Sequence, residues 1–238
     1  MDSNHETGEN RHLQRPLEQY GHNNLGTARL TIYAVHGRGQ QPKFMSEIAD
    51  RIGIDGVAYV LPSAADNCWY PTRFTAPIEN NQPSLDHTLD AVRAHLHWMA
   101  DQGVGPERTM LMGFSQGACV LAEYLLRTQR PYAAAAILTG GYIGPSEHTW
   151  PVLQPGLSGM PTLFTSATRD EFVPLDRVNA TVESFIAAGA SAELHVYDDR
   201  EHHVSDEVVK HLRALINRVT SRTNRPRNPL PTQQGEVT

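Results

Sequence analysis

Cysteine is scarce. The 238 residues hold two, Cys68 and Cys119, so no disulfide framework is indicated. No apolar run is long enough to span a membrane as a helix. The chain opens Met1-Asp-Ser-Asn-His-Glu6, without the basic start and apolar stretch of a secretory signal, and a cytoplasmic protein is the expectation. An excess of positive charge is missing as well. Lys and Arg number 20 against 26 Asp and Glu, for a net charge of -6. The basic residues are scattered, so no nucleic-acid partner is expected. The few that cluster, at Arg218, Arg222, Arg225 and Arg227, read as a solvated tail. There is no internal repeat. The twelve histidines come without an H-E-x-x-H motif or a carboxylate cluster. His95 and His97 are two apart and do not share a helix face, so metal catalysis is not expected and no metal ligands are assigned. Gly140-Gly141 lacks the Lys-Ser/Thr ending of a phosphate loop.

What is present suits one domain with a sizeable core. Residues 1–27 are rich in Asn, His, Glu and Gly, and residues 221–238 in Arg, Asn, Pro, Thr and Gln. Neither stretch carries enough apolar surface to offset the entropy of ordering, so both are expected to be disordered tails around a domain at 28–220. Within the domain, short apolar runs at Leu30–Val35, Val57–Leu61, Thr109–Met112, Ala134–Leu138, Thr162–Thr165 and Ala192–Tyr197 read as strands covered on both faces. Between them lie stretches of helical spacing, such as Leu85, Leu89, Val92, Leu96 and Met99. Ser205 is a plausible cap for the last helix. The alternation predicts an α/β fold, a mostly parallel central sheet with helices on both faces. Function-bearing residues should then follow strands directly.

One motif does so. After the run ending at Met112 comes Gly113-Phe-Ser-Gln-Gly117, a G-x-S-x-G sequence between a strand and an apolar helical run. This is the pattern of a nucleophile elbow, where a sharp turn exposes the serine hydroxyl above a helix N-terminus. A serine needs a base, and the base an orienting acid. In an α/β-hydrolase fold they follow in the order Ser, Asp or Glu, His. Asp170 comes off the strand at Thr162–Thr165. Glu171 adjoins it, Asp176 would lie on the next helix, and Asp198 and Asp199 are too close to the histidine's own strand. His202 follows the strand at Ala192–Tyr197, with His203 beside it as a rival. An oxyanion hole needs two backbone donors. The N–H of Gln116 is one, and the turn His36-Gly-Arg-Gly39 offers Arg38 as the other. Cys119, in an apolar stretch, reads as a buried thiol, whereas Cys68 sits in a polar loop.

These blocks resemble the phospholipase/carboxylesterase family, which includes acyl-protein thioesterases. His36-Gly-Arg-Gly39 is similar to the family's H-G-x-G, Gly113–Gly117 to its G-F-S-Q-G, and Asp170-Glu-Phe-Val-Pro174 to its D-x-x-V-P. His202-His-Val-Ser-Asp-Glu207 resembles its final histidine block, in which Val204 places His202 rather than His203 as the base. Trp69-Tyr-Pro71 with Ala76-Pro77 and Asn81 resembles a branch of small bacterial esterases. The resemblance implies an α/β-hydrolase fold without a separate lid domain, no metal or cofactor, and a small-molecule ester or thioester substrate. Two departures stand out. Glu201, not a small residue, precedes the final histidine, and no clear pair of strands is evident before Leu30, so a sheet shorter than usual in the fold is expected.

The loop from Pro62 to Pro83 is long, and long loops tend to be functional. Its Trp69, Tyr70 and Phe74 either wall a substrate pocket or pack the loop down. Tyr142 and Phe172 are further pocket candidates. Esterase, thioesterase, a lyase or perhydrolase on the same residues, and a binding protein on a hydrolase scaffold all remain compatible with the sequence. So does any oligomeric state, a homodimer included.

Overall fold

The computed structural model describes residues 9–145, 149–151 and 153–223. The core is a seven-stranded sheet of spatial order β1-β3-β2-β4-β5-β6-β7. The strands are β1 (Leu17–Gly21), β2 (Leu30–Val35), β3 (Val57–Pro62), β4 (Thr109–Phe114), β5 (Ala134–Leu138), β6 (Pro161–Ala167) and β7 (Ser191–Tyr197). All neighbours pair in parallel except β1, which runs antiparallel to β3. The helices are α1 (Pro42–Ile52), α2 (Ser84–Asp101), α3 (Gln116–Thr128), α4 (Leu175–Ala187) and α5 (Asp206–Thr223).

Strands β2 to β5 are buried along their whole length, which is why they carry continuous apolar runs instead of alternation. Their two faces feed separate cores. One lies under α2, α3 and α4 and holds Leu111, Leu121, Val120, Phe164 and Phe185. The other lies under α1 and α5 and holds Met110, Met112, Ile48, Leu212 and Ile216. At roughly 1.5–3 kcal/mol for each fully buried large apolar side chain, these two layers are the main source of stability. The Ser205 hydroxyl accepts the Val208 N–H at 3.2 Å and so caps α5.

The N-terminal expectation is corrected. Residues 9–27 are part of the domain, and β1 pairs residue for residue with β3, from Leu17 opposite Pro62 to Gly21 opposite Ala58. The reason lies in its position. As an edge strand it is held by main-chain pairing and leaves Glu18, Gln19 and Tyr20 exposed, so its sequence looks polar. One strand, not a pair, therefore precedes Leu30 in the sheet. The C-terminal tail expected from 221 is corrected as well, since α5 continues through Thr223; the rest of the two expected tails, 1–8 and 224–238, lies outside the described residues. This is an α/β-hydrolase fold, and among the described residues there is no inserted lid domain. Nor is any helix among them long and apolar enough to cross a membrane.

Candidate active site

Ser115 sits between β4 and α3 with φ 54° and ψ -119°, a strained backbone held by the bond from its N–H to the Leu138 carbonyl at 2.9 Å. The flanking glycines are sterically required. A Cβ on Gly113 would lie 2.5 Å from the Gly117 carbonyl oxygen, and one on Gly117 would lie 2.2 Å from the Val35 oxygen. The turn at residues 36–39 passes directly beside the serine, since a Cβ on Gly37 would be 3.1 Å from Ser115 Cβ.

The loop after β6 and the loop after β7 bring two more side chains to this point. His202 Nε2 is 2.7 Å from Ser115 Oγ, and its Nδ1 is 2.7 Å from Asp170 Oδ2. The Asp170 side chain is fully buried, and its second oxygen accepts the N–H groups of Phe172 at 2.8 Å and Val173 at 3.0 Å. Each carboxylate oxygen is therefore occupied, and the orientation of the imidazole is set from behind. Phe114 and Phe172 rings stand 5.0 and 5.1 Å from the imidazole. A serine hydroxyl, an imidazole and a buried carboxylate in one hydrogen-bonded line can activate the hydroxyl for attack on a carbonyl carbon. The neighbouring His203 faces Glu201 and Asp199 at 3.4 and 3.9 Å, not the serine, and this is also where the unusual Glu201 points.

The N–H groups of Arg38 and Gln116 have no protein acceptor among the described residues, in contrast to those of Gly37 and Gly39, which bond Gln40 Oε1 and the Asn67 carbonyl. Both side chains have a second task that the sequence did not disclose. The Arg38 guanidinium donates to the carbonyls of Tyr70, Pro71 and Thr72 at 2.8, 2.9 and 2.6 Å, and contacts Cys68 Sγ at 3.2 Å. The Gln116 amide accepts the Trp69 N–H at 2.9 Å and donates to the Tyr70 carbonyl at 2.8 Å. The aromatic loop is thus clasped from both sides of the serine.

A cavity of about 280 Å³ opens above Ser115. Tyr70, Phe74 and Phe172 line it, together with Thr72, Arg73, Cys119 and Val173. Trp69, for which wall and loop packing were both open, and Tyr142, a further pocket candidate, do not. Trp69 is wholly buried behind the loop, its indole N–H given to the His36 carbonyl at 2.8 Å, its ring between His12 and His36. Tyr142 is core, packed under the Arg177 guanidinium at 4.7 Å. The buried His36 is structural, bonding the Gly37 carbonyl and the Ala64 N–H. Cys119 forms part of the cavity floor, and burial pushes its thiol up to about 11, so it is not a competing nucleophile near neutral pH. His95 and His97 lie apart in function. The first bonds the buried Tyr33 hydroxyl at 2.9 Å, and the second is exposed beside Asp101.

Residues 26–220 match the model of a family described as phospholipase/carboxylesterase. The chain belongs to the phospholipase/carboxylesterase family. A curated relative, the Escherichia coli (strain K12) protein Esterase YpfH, is 23% identical over 211 residues, covering 79% of this chain and 84% of the relative. A crystal structure of a phospholipase/carboxylesterase from Dyadobacter fermentans superposes with TM-score 0.79 at 28% identity, covering 85% of this chain and 96% of that one. A carboxylesterase from Mesorhizobium loti gives TM-score 0.67 at 21% identity, with 85% and 94% coverage, a likeness of fold. Family membership supports hydrolysis of carboxylic ester or thioester bonds.

Proposed function

We propose that this phospholipase/carboxylesterase family member is a serine esterase that hydrolyses small carboxylic esters through an acyl-enzyme. The observation that carries this reading is the unbroken line from Ser115 Oγ through His202 to Asp170, at 2.7 and 2.7 Å, on the floor of an open cavity. Ser115 attacks the ester carbonyl while His202 Nε2 takes its proton. Asp170 holds the Nδ1 proton and stabilises the imidazolium. The tetrahedral oxyanion is stabilised by the N–H groups of Gln116, at the N-terminus of α3, and Arg38. His202 then passes its proton to the departing alcohol, and as a free base activates the water that releases the acid. The cavity is at the small end of ligand sites, which favours short and medium acyl groups lying between Tyr70, Phe74 and Phe172.

The experiment is hydrolysis of p-nitrophenyl esters from acetate to palmitate by wild type and Ser115→Ala, with fluorophosphonate labelling in parallel. Turnover peaking at short or medium chains, with labelling and turnover both lost in the variant, supports the reading. Absence of ester turnover with labelling retained would move the reading to thioesters. Absence of both would leave a binding protein on this scaffold. Full activity in Ser115→Ala would refute the nucleophile.

A further inference from the structure

Among the described residues, one group of three metal-ligating side chains converges away from the serine. Glu193 and His195 are two apart on β7 and so project from the same face of the strand. His211 comes from α5, which packs over that face. One potential ligand atom from each of the three lies within 4.8 Å of the other two. Glu193 Oε1 is 2.7 Å from His195 Nε2. The two imidazoles lie against each other with ring centres 3.7 Å apart and planes 35° apart.

We propose that Glu193, His195 and His211 bind a late first-row divalent cation such as zinc, tying the edge strand β7 to helix α5. The donor set fits that class of ion. Two imidazoles and one carboxylate are common zinc donors at about 2.0–2.2 Å, leaving the fourth tetrahedral position for water. Such ligands stand about 3.3–3.6 Å from one another around the ion, so side-chain rotations of about 1 Å suffice, opening the Glu193–His195 pair from 2.7 Å and closing the wider separations, which reach at most 4.8 Å. The half-exposed carboxylate has room for that movement. Imidazole donors disfavour magnesium and calcium, which take oxygen ligands. Arg218 approaches Glu193 through the other carboxylate oxygen at 4.0 Å, an exposed contact that leaves Oε1 available.

The placement gives the ion a structural task. Residues 196–210, between His195 and His211, include the loop that presents His202 to Ser115. An ion held by both ends of this segment closes it at its base, on elements outside the serine site.

The test is zinc binding to chelator-treated protein, by calorimetry and by thermal unfolding, for wild type and for Glu193→Gln, His195→Gln and His211→Gln. Wild type should take up one zinc ion through this site. At micromolar affinity, 100 µM zinc should raise the melting temperature by about 5–10 °C, while equal magnesium should not. Each histidine variant should lose at least tenfold in affinity and most of the shift. Metal-free melting curves establish that the variants fold, and if one histidine variant does not, the other and Glu193→Gln decide. No binding by wild type at 100 µM zinc would overturn the proposal. So would binding that survives the variants, since the ion would then sit elsewhere, for example on His202 and Asp170. An equal shift with magnesium would also overturn it.

Discussion

One methyl group at Gly117 should disable the proposed enzyme without touching a reacting atom. In Gly117→Ala the new Cβ would stand 2.2 Å from the Val35 carbonyl oxygen and 2.5 Å from that of His36. A carbon needs about 3.2 Å from an oxygen, so α3 and the end of β2 must part by about 1 Å. Both oxygens are main chain, at the end of β2 and just after it, with no flexible side chain to yield. Overpacking of this kind costs about 3 kcal/mol, or about 6–12 °C in melting temperature for a chain of this size. The kinetic effect should be larger. The displaced segments carry the N–H groups of Gln116 and Arg38, the proposed oxyanion donors, and misplacement by about 1 Å at a reacting centre costs about a hundredfold. The assay is kcat/KM on the best p-nitrophenyl ester, beside thermal unfolding. Gly103→Ala is the control. Gly103 has φ +79°, but a Cβ there would meet nothing within 4 Å, so the variant should show about 1 kcal/mol of backbone strain and unchanged kinetics. A Gly117→Ala protein that melts within 2 °C of wild type with unaltered kcat/KM would refute the steric argument.

Two further outcomes follow from the hydrogen bonds. Asp170→Asn keeps an oxygen for the N–H groups of Phe172 and Val173 but turns an NH2 toward His202 Nδ1, which favours the tautomer that cannot take the Ser115 proton. Its kcat should fall by about 10³–10⁴ with little change in melting temperature, as single-turnover kinetics and a melt will show. Burial lowers His12 from 6.5 to about 4, and its nitrogens face the Ala65 N–H and the Thr88 hydroxyl. Because the folded-state value lies below the unfolded one, the stability from neutral His12 is complete above pH 6.5 and is lost as pH falls toward 4. That loss is at most about 3 kcal/mol, and less where solvent reaches the ring. Urea unfolding at pH 7.5 and pH 5 should show a smaller acid penalty for His12→Gln than for wild type.

The strand alternation and the strand-following positions of Ser115, Asp170 and His202 are legible in the sequence because each obeys a local rule: a continuous apolar run, a glycine-flanked serine, a polar residue at a strand's carboxyl end. The choice of His202 over His203 is not legible from the residues alone, since the two are adjacent. The resemblance picks His202 through Val204, and the fold shows that this ring faces the serine. β1 was hidden because its stabilisation comes from main-chain pairing that leaves no apolar signature. Trp69 and Tyr70 are neighbours in sequence, yet one is sealed behind the loop and the other walls the cavity. A loop has no fixed period from which the side could be read. Nothing in the sequence marks the Arg38 clasp, which reaches carbonyls more than thirty residues away.

That clasp bears on how the cavity wall is built. Arg38 and Gln116 grip the aromatic loop chiefly through its peptide groups: the carbonyls of Tyr70, Pro71 and Thr72 and the N–H of Trp69. A grip on peptide groups is indifferent to which side chains the loop displays. The loop's path past the serine is therefore fixed by its backbone, while Tyr70 and Phe74, buried against Cys119 and Arg177, answer to the packing around them. In the proposed enzyme the same two residues thus hold the loop by its main chain and leave the shape of the cavity wall to the side chains it carries.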